Sequence, residues 1–430
     1  MTHSKPRPDV VTFGCRTNAF ESEIIRDHLA KAPPGSRPRV VVNTCAVTAE
    51  AERQARQTIR RLRREHPEAE IVVTGCAAQL APERWAELPG VARVLGNPDK
   101  LQADSWDPTT EAAAAAGPSI QVSDPEAVAA LAPHLVAGFE DRARGFVQIQ
   151  QGCDHRCTFC VIPLARGPNR SVAVERVIEQ ARALVAGGLH ELVLTGVDLT
   201  SWGGELPGAP RLGALVAALL EAVPELPRLR LSSLDPAALD EQLLDLLAGH
   251  PRVMPHVHFS VQAGDDMILK RMKRRHDRAR VIELCEHLGA ARPEIVFGAD
   301  LIAGFPTETE AMFANTRALI DQAGLAHLHV FPYSPRPGTP AARMRRLPGE
   351  VVKARAAELR AAGAARLEAV MQARLGQTAE LVLEADGQAR DPSFLPVRVD
   401  RAVSGLVPGR LIRVRFAAID NGSLQAEVIG

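Results

Sequence analysis

Three cysteines within eight residues, Cys153-Asp-His-Arg-Cys157-Thr-Phe-Cys160, are the densest group of soft metal ligands in the chain. They follow the apolar run Phe146-Val-Gln-Ile, so a short strand ending at Gly152 delivers all three sulfurs into one loop. Such a loop can wrap a cubane iron–sulfur cluster, but three thiolates leave one of its four irons without a protein ligand, unlike the four-cysteine electron carriers. An open iron is a place for a substrate to bind. A zinc site with His155 as fourth ligand is the competing reading of the same residues, although zinc loops draw their ligands mostly from two separated pairs. Free structural thiols are the weakest reading, because such cysteines are dispersed, buried positions.

A second set of three is spread along the first hundred residues. The β-branched runs Asp9-Val-Val-Thr-Phe, Arg39-Val-Val-Val and Glu70-Ile-Val-Val-Thr lead into Gly14-Cys15, Asn43-Thr-Cys45 and Gly75-Cys76, with helical patterns between them. In a parallel sheet built from βα units every carboxyl end lies on one edge, where such folds bind ligands. Cys15, Cys45 and Cys76 are therefore expected to converge, as cluster ligands or as three buried thiols at strand ends.

The elements that must position these residues suggest several domains, as a chain of 430 residues requires. Residues 8–103 read as a small doubly wound α/β domain, and the alanine- and proline-rich stretch 104–137 as a linker. Residues 138–375 repeat a strand and a helix six times, the pattern of an incomplete (β/α)6 barrel whose chemistry sits at the strands' carboxyl ends. Polar and glycine motifs stand at those ends: Thr195-Gly196-Val-Asp198, Ser232-Ser233, Gln262 with Gly264, Gly304-Phe305-Pro306, and Pro332-Tyr333-Ser334. Singly each is ordinary turn chemistry. Residues 376–430 alternate apolar and polar positions and carry a hairpin signal at Asn421-Gly422, as in a small all-β barrel.

Bulk composition narrows the partners. Basic and acidic residues balance at 51 each, so nucleic-acid binding needs local patches rather than net charge. Candidates are the helix Glu52 to Arg64, the run Lys270 to Arg280, and the tail arginines Arg398, Arg401, Arg410, Arg413 and Arg415. A solvated face is the alternative for each. No apolar run reaches the length of a membrane helix and the polar start lacks a signal-peptide core, so a cytoplasmic protein without membrane contact is expected. Six of seven cysteines belong to the two triads, in keeping with a reducing compartment. Cys285, inside a helical pattern, reads as a core residue.

The Cys153–Cys160 spacing, with Phe159 before its last cysteine, resembles the signature of radical S-adenosylmethionine (SAM) enzymes. The stretches Gly14-Cys15-Arg-Thr-Asn18, Val42-Asn43-Thr44-Cys45 and Thr74-Gly75-Cys76-Ala-Ala-Gln79 resemble the amino-terminal domain of the methylthiotransferases, and the tail resembles their TRAM RNA-binding domain. The resemblance implies two 4Fe-4S clusters, one carrying sulfur on Cys15, Cys45 and Cys76, the other binding SAM on Cys153, Cys157 and Cys160. It places Phe159, Thr195, Gly196, Ser232, Gln262 and Gly304 in the SAM pocket. Ala263 and Thr307 depart from the serine and glycine common there.

The motifs around Cys15, Thr195 and Tyr333 look most like the branch acting on N6-threonylcarbamoyladenosine beside the tRNA anticodon, at adenine carbon 2. Partners implied are the tRNA anticodon arm, a reducing electron donor and a sulfur donor. Alternatives are the isopentenyladenosine branch, the branch modifying a ribosomal-protein aspartate, and, in another class, a non-catalytic iron–sulfur protein that binds RNA or transfers electrons.

Overall fold

The computed structural model describes residues 9–32, 37–107, 117–128, 143–400 and 407–429, which fall into two compact units. The alanine-rich run 111–116, the expected barrel start at Gly138 and the tail's Arg401 lie outside the described residues.

The first unit is built on the chain up to residue 136, joined by 150–155 and 160–170. Five parallel strands, β1 (Asp9–Thr12), β2 (Arg39–Thr44), β3 (Glu70–Gly75), β4 (Val91–Leu95) and β5 (Ser119–Gln121), form one sheet in chain order. Between them run α1 (Arg16–Lys31), α2 (Ala49–Glu65), α3 (Cys76–Leu80) and α4 (Pro82–Ala86). Thr48 caps α2 by accepting from the Ala51 N–H at 3.1 Å. The α2 stripe Ala55, Ile59 and Leu62 is buried with Val40, Val42, Ile71 and Val73, whereas Ile25 of α1 is buried with Val41 and Val72. Alternate residues of one strand face opposite ways, so helices cover both faces of the sheet, the doubly wound arrangement.

The second unit holds residues 137–149, 156–159 and 171–430. After β6 (Gly145–Gln148) the chain runs through β7 (Gln150–Gln151), α5 (Ile162–Arg166) and β8 (Arg170–Ser171) before the repeats resume. These are α6 (Val174–Ala186), β9 (Glu191–Thr195), α7 (Leu212–Ala222), β10 (Arg228–Leu231), α8 (Glu241–Gly249), β11 (His256–Gln262), α9 (Asp266–Met272), α10 (Arg278–Ala291), β12 (Val296–Ala303), α11 (Glu310–Gln322), β13 (Leu325–Pro332) and α12 (Gly349–Gln372). Strands β6, β9 and β10 pair in parallel, as do β11, β12 and β13, and bridges from Leu229 to Val253 and Leu234 to Phe259 join the two groups. This is the expected incomplete barrel of six strands.

The tail closes a five-stranded barrel of β14 (Thr378–Leu383), β15 (Gln388–Arg390), β16 (Pro396–Val399), β17 (Leu411–Asp420) and β18 (Ser423–Val428). Leu381, Val397, Val399, Val414, Phe416 and Leu424 fill it. Its corner before β16 meets the amino ends of the larger barrel's strands. Glu191 pairs with Arg228 at 3.0 Å and Arg230 at 2.9 Å, and Arg230 donates to the Pro392 carbonyl at 3.1 Å. Phe394 lies under the Arg230 guanidinium, 4.9 Å from ring centroid to carbon. No helix among the described residues is long and apolar enough to cross a membrane.

Candidate functional site

In the first unit, parallel register aligns Thr12 with Asn43 and Thr44 with Gly75, so Cys15, Cys45 and Cys76 follow strands that end at one edge. Gly14 has φ +96°, and a Cβ there would stand 2.7 Å from Cβ and 2.8 Å from Sγ of Cys45. Only glycine permits that approach. Asn18 ties the turns together, its Nδ2 donating to the carbonyls of Phe13 at 2.7 Å and Thr44 at 3.0 Å. Cys45 and Cys76 are buried and Cys15 is exposed. Burial pushes the Cys45 thiol up to about 12, with the charges of Cys76 and Cys15 adding to it. Thiolates gathered this way need a cation among them.

Fully buried charges surround Cys76. Arg166 donates from Nε to Cys76 Sγ at 3.2 Å, from Nη1 to Glu21 at 2.7 Å, and from Nη2 to Asn18 at 2.7 Å. Lys100 donates to Glu21 at 2.7 Å and to Asn97 at 2.9 Å. Burial alone would raise the Glu21 carboxyl, but Arg166 and Lys100 outweigh it and hold it at about 2. One of the two cations is neutralised by Glu21, leaving one net positive charge beside the sulfurs. A cubane in its oxidised state with three thiolates carries one net negative charge, so donor set and surroundings fit that group.

The second triad lies on the irregular stretch between β7 and α5. Cys153 donates its backbone N–H to Gly167 at 3.0 Å, and Cys160 Sγ accepts from the Ile162 N–H at 3.4 Å. Cys157 Sγ lies 3.7 Å from Arg274 Nη1, and Thr158 donates from Oγ1 to the Arg271 carbonyl at 2.8 Å. Arg274 thus turns inward, also donating to the Ser260 carbonyl at 2.7 Å, and Arg278 donates to the Gly264 carbonyl at 2.8 Å. Two of the seven cations in the run Lys270 to Arg280 therefore bond within the barrel itself.

Of the residues expected around SAM, Thr195, Gly196, Ser232, Gln262 and Gly304 stand at the carboxyl ends of barrel strands, and Phe159 on the stretch between β7 and α5. Ser232 Oγ and Gln148 Nε2 are buried polar atoms without a hydrogen-bond partner among the described residues, an arrangement that a polar ligand would satisfy. Gln262 has φ +76°, a left-handed strain on a non-glycine residue. Thr307 has φ +69°, a backbone conformation that glycine adopts at less cost than threonine. Phe159 meets Phe305 edge-on at 6.4 Å in a cluster with Ala263 and Tyr333. Gly304 is held glycine by packing: at φ +72° its Cβ would stand 2.6 Å from Val352 of α12, and its N–H donates to Glu308 at 3.1 Å.

Comparison with known proteins agrees with this geometry. A model of the radical SAM superfamily matches residues 147–320, and one of the uncharacterized protein family UPF0004 matches residues 7–96. The chain is 46% identical over 98% of both lengths to the threonylcarbamoyladenosine tRNA methylthiotransferase MtaB of Rickettsia prowazekii. The chain belongs to the radical SAM methylthiotransferase family. Enzymes of this family use SAM and 4Fe-4S clusters. A Bacillus subtilis relative of the same name is 36% identical over 80% of this chain and 76% of its own. The tRNA-2-methylthio-N(6)-dimethylallyladenosine synthase of Erythrobacter litoralis is 35% identical over 100% of this chain and 98% of its own. Among solved structures, the radical SAM methyltransferase TsrM of Kitasatospora setae shares the fold, with TM-score 0.53 at 18% identity over 76% of this chain and 67% of its own.

Sequence reasoning missed the partners of the methylthiotransferase cysteines. Neither Arg166 nor Lys100 carries a local signal that would mark it as a buried cation. Four histidines on β11 and β13 were also passed over, although the alternation His256-x-His258 and His327-x-His329 marks one face of each strand.

Proposed function

We propose that this chain attaches a methylthio group to carbon 2 of N6-threonylcarbamoyladenosine in the anticodon arm of tRNA. The observation that carries this reading is identity of 46% over 98% of both chains with a protein named for that activity. Cys15, Cys45 and Cys76 would hold one 4Fe-4S cluster, and Cys153, Cys157 and Cys160 the other. When bound, these clusters and SAM supply the sulfur, the methyl group and the radical that removes the hydrogen from carbon 2. The chain's own residues bind and orient. Ser232 and Gln148 offer Oγ and Nε2 to the polar parts of SAM, Thr195, Gly196, Gln262 and Gly304 shape the strand ends, and Phe159 with Phe305 keeps water from them. Arg166 and Lys100 balance charge at the first triad.

The tasks are assigned to 8–103, 138–375 and 376–430, but the stretch 104–137 expected as a linker contributes β5 (Ser119–Gln121) to the first unit's sheet, and 150–155 and 160–170 also belong to that unit. A one-electron reductant, a sulfur donor and a cytoplasmic setting follow from the same chemistry. The test is mass spectrometry of tRNA nucleosides from a strain lacking the protein. Loss of the methylthiolated threonylcarbamoyladenosine, restored by the wild-type chain and not by Cys157→Ala, is expected. An unchanged nucleoside profile would overturn the reading.

A further inference from the structure

The lumen of the incomplete barrel carries side chains that no step above uses. On β13, Leu328 lies on the helix side, against Gly363 of α12, so His327 and His329 face the lumen. Asp300 of β12 stands between β11 and β13. Nε2 of His258 and Nδ1 of His329 lie 3.0 and 3.1 Å from the same oxygen, Asp300 Oδ1, with ring centroids 4.6 Å apart. Gly298 makes room for this, since a Cβ there would stand 2.5 Å from His258 Nδ1. Side-chain exposure rises from 5% at His258 through 21% at Asp300 to 61% at His329, so the lumen is open at this depth. Below it, His256 stacks on Phe394 at 5.0 Å and closes the base.

The hydrogen-bond pattern fixes what the group can offer. Both rings donate an N–H to Asp300, whose carboxyl is held well below the usual carboxylate range; burial opposes this, but the bonds from His258 and His329 outweigh it. Donation from Nδ1 leaves Nε2 of His329 directed away from Asp300, with no hydrogen-bond partner among the described residues. That nitrogen accepts from a hydroxyl when the ring is neutral and donates to a carboxylate when it is protonated. Four residues of strand, about 13 Å, separate His258 from Gln262. That span leaves length for a substituted base between the SAM residues above and the His258–Asp300–His329 group below.

We propose that His329, oriented by Asp300 and His258, reads the hydroxyl- and carboxylate-bearing substituent on adenine N6 and so sets which modified adenosine the enzyme accepts. This inference rests on the threonylcarbamoyladenosine reading. A dimethylallyl group, the substituent in the name of the Erythrobacter litoralis relative, offers no polar atom to this ring. It would leave the imidazole unpaired, the situation in which polar sites discriminate most.

The test uses the full chain with both clusters reconstituted, and three anticodon stem-loops bearing threonylcarbamoyladenosine, dimethylallyladenosine or adenosine at one position. Dissociation constants and KM are measured for wild type, His329→Phe and His329→Gln, with iron content and circular dichroism confirming the fold. His329→Phe is expected to weaken binding of the threonylcarbamoyl RNA by about 10- to 100-fold while leaving the dimethylallyl RNA unchanged or tighter. His329→Gln, which keeps a polar terminus, should recover part of the loss. If His329→Phe does not fold, His329→Ala, which truncates an exposed ring, serves the same comparison. A full threonylcarbamoyl preference in these variants would overturn the inference while leaving the substrate reading intact. Wild type that prefers dimethylallyl RNA would overturn the substrate reading itself. One zinc per wild-type chain, lost in Asp300→Ala, would also overturn the inference, since two imidazoles and a carboxylate can instead hold that ion.

Discussion

Arg166 donates to Cys76 Sγ at 3.2 Å, and the same guanidinium grips both oxygens of Glu21, at 2.7 and 3.0 Å. Arg166 follows Cys160 by six residues in the chain, so the segment that carries one triad also supplies the buried cation of the other. A charge-assisted donor on a thiolate favours the more negative, reduced state of whatever metal group that sulfur holds. Arg166→Met should lower the midpoint potential of the first cluster, read by electron paramagnetic resonance during a redox titration, and Arg166→Lys should restore part of it. Glu21 would also lose its stronger partner, at a cost of about 3 kcal/mol in stability. An unchanged potential in a folded Arg166→Met protein would leave Arg166 a purely structural residue.

Metal content separates the two triads. Anaerobically reconstituted protein should hold about eight iron and eight sulfide, two cubanes with three thiolates each. Replacing Cys153, Cys157 and Cys160 by alanine should leave about four of each. A triple variant that keeps all its iron would overturn the assignment, as would wild type that never exceeds four.

Acid stability tests the charges at the barrel's base. Burial alone would raise the Glu191 carboxyl, but Arg230 and Arg228 lower it from 4.5 to about 2. A depressed folded-state value means stability that is fully present above pH 4.5 and is lost as pH falls towards 2, worth about 3 kcal/mol. Urea titrations of the metal-free protein at pH 6 and pH 3 should show that loss, and Glu191→Gln should be less stable at pH 6 with a flatter pH dependence. Equal pH dependence in the two proteins would rule out Glu191 as its source.

Much of this architecture was legible because its signals are local. The β-branched runs before Cys15, Cys45 and Cys76 are short and unbroken and end in glycine or asparagine turns, and six strand–helix repeats need no distant partner to be recognised. The Asn421-Gly422 hairpin takes φ +47° and +70°, the turn its residue types specify. Contacts between distant segments were not legible. Nothing local to Arg166 or Lys100 says that both meet Glu21, and Phe394 reveals its cation partners only once the tail corner closes on Arg230. Gly304, read as a cofactor glycine, also answers to Val352, a residue nearly fifty positions away. Spacing reports which residues share a loop or a strand face; it does not report what packs against them.

The tail arginines are the remaining candidates for tRNA contact. Arg398, Arg410, Arg413 and Arg415 are exposed, while Ile412, Val414 and Phe416 point into the small barrel. The face is mixed in sign, since Glu380 stands across from Arg413 and Glu427 across from Arg415. Deleting the tail is a poor test of this face, because Arg228 and Arg230 donate to the Glu380 and Pro392 carbonyls and would be uncovered together with the Phe394 contact. Substitution avoids that fault. Each phosphate neutralised releases counterions and contributes roughly 0.7 to 0.9 to the slope of log affinity against log salt. The triple variant Arg398→Gln, Arg413→Gln and Arg415→Gln should bind tRNA more weakly at low salt, with a slope shallower by about two, converging on wild type as salt rises. Identical slopes and affinities in the two proteins would show that this face does not meet the tRNA backbone, and would shift attention to α2, where Arg60 and Arg64 are exposed.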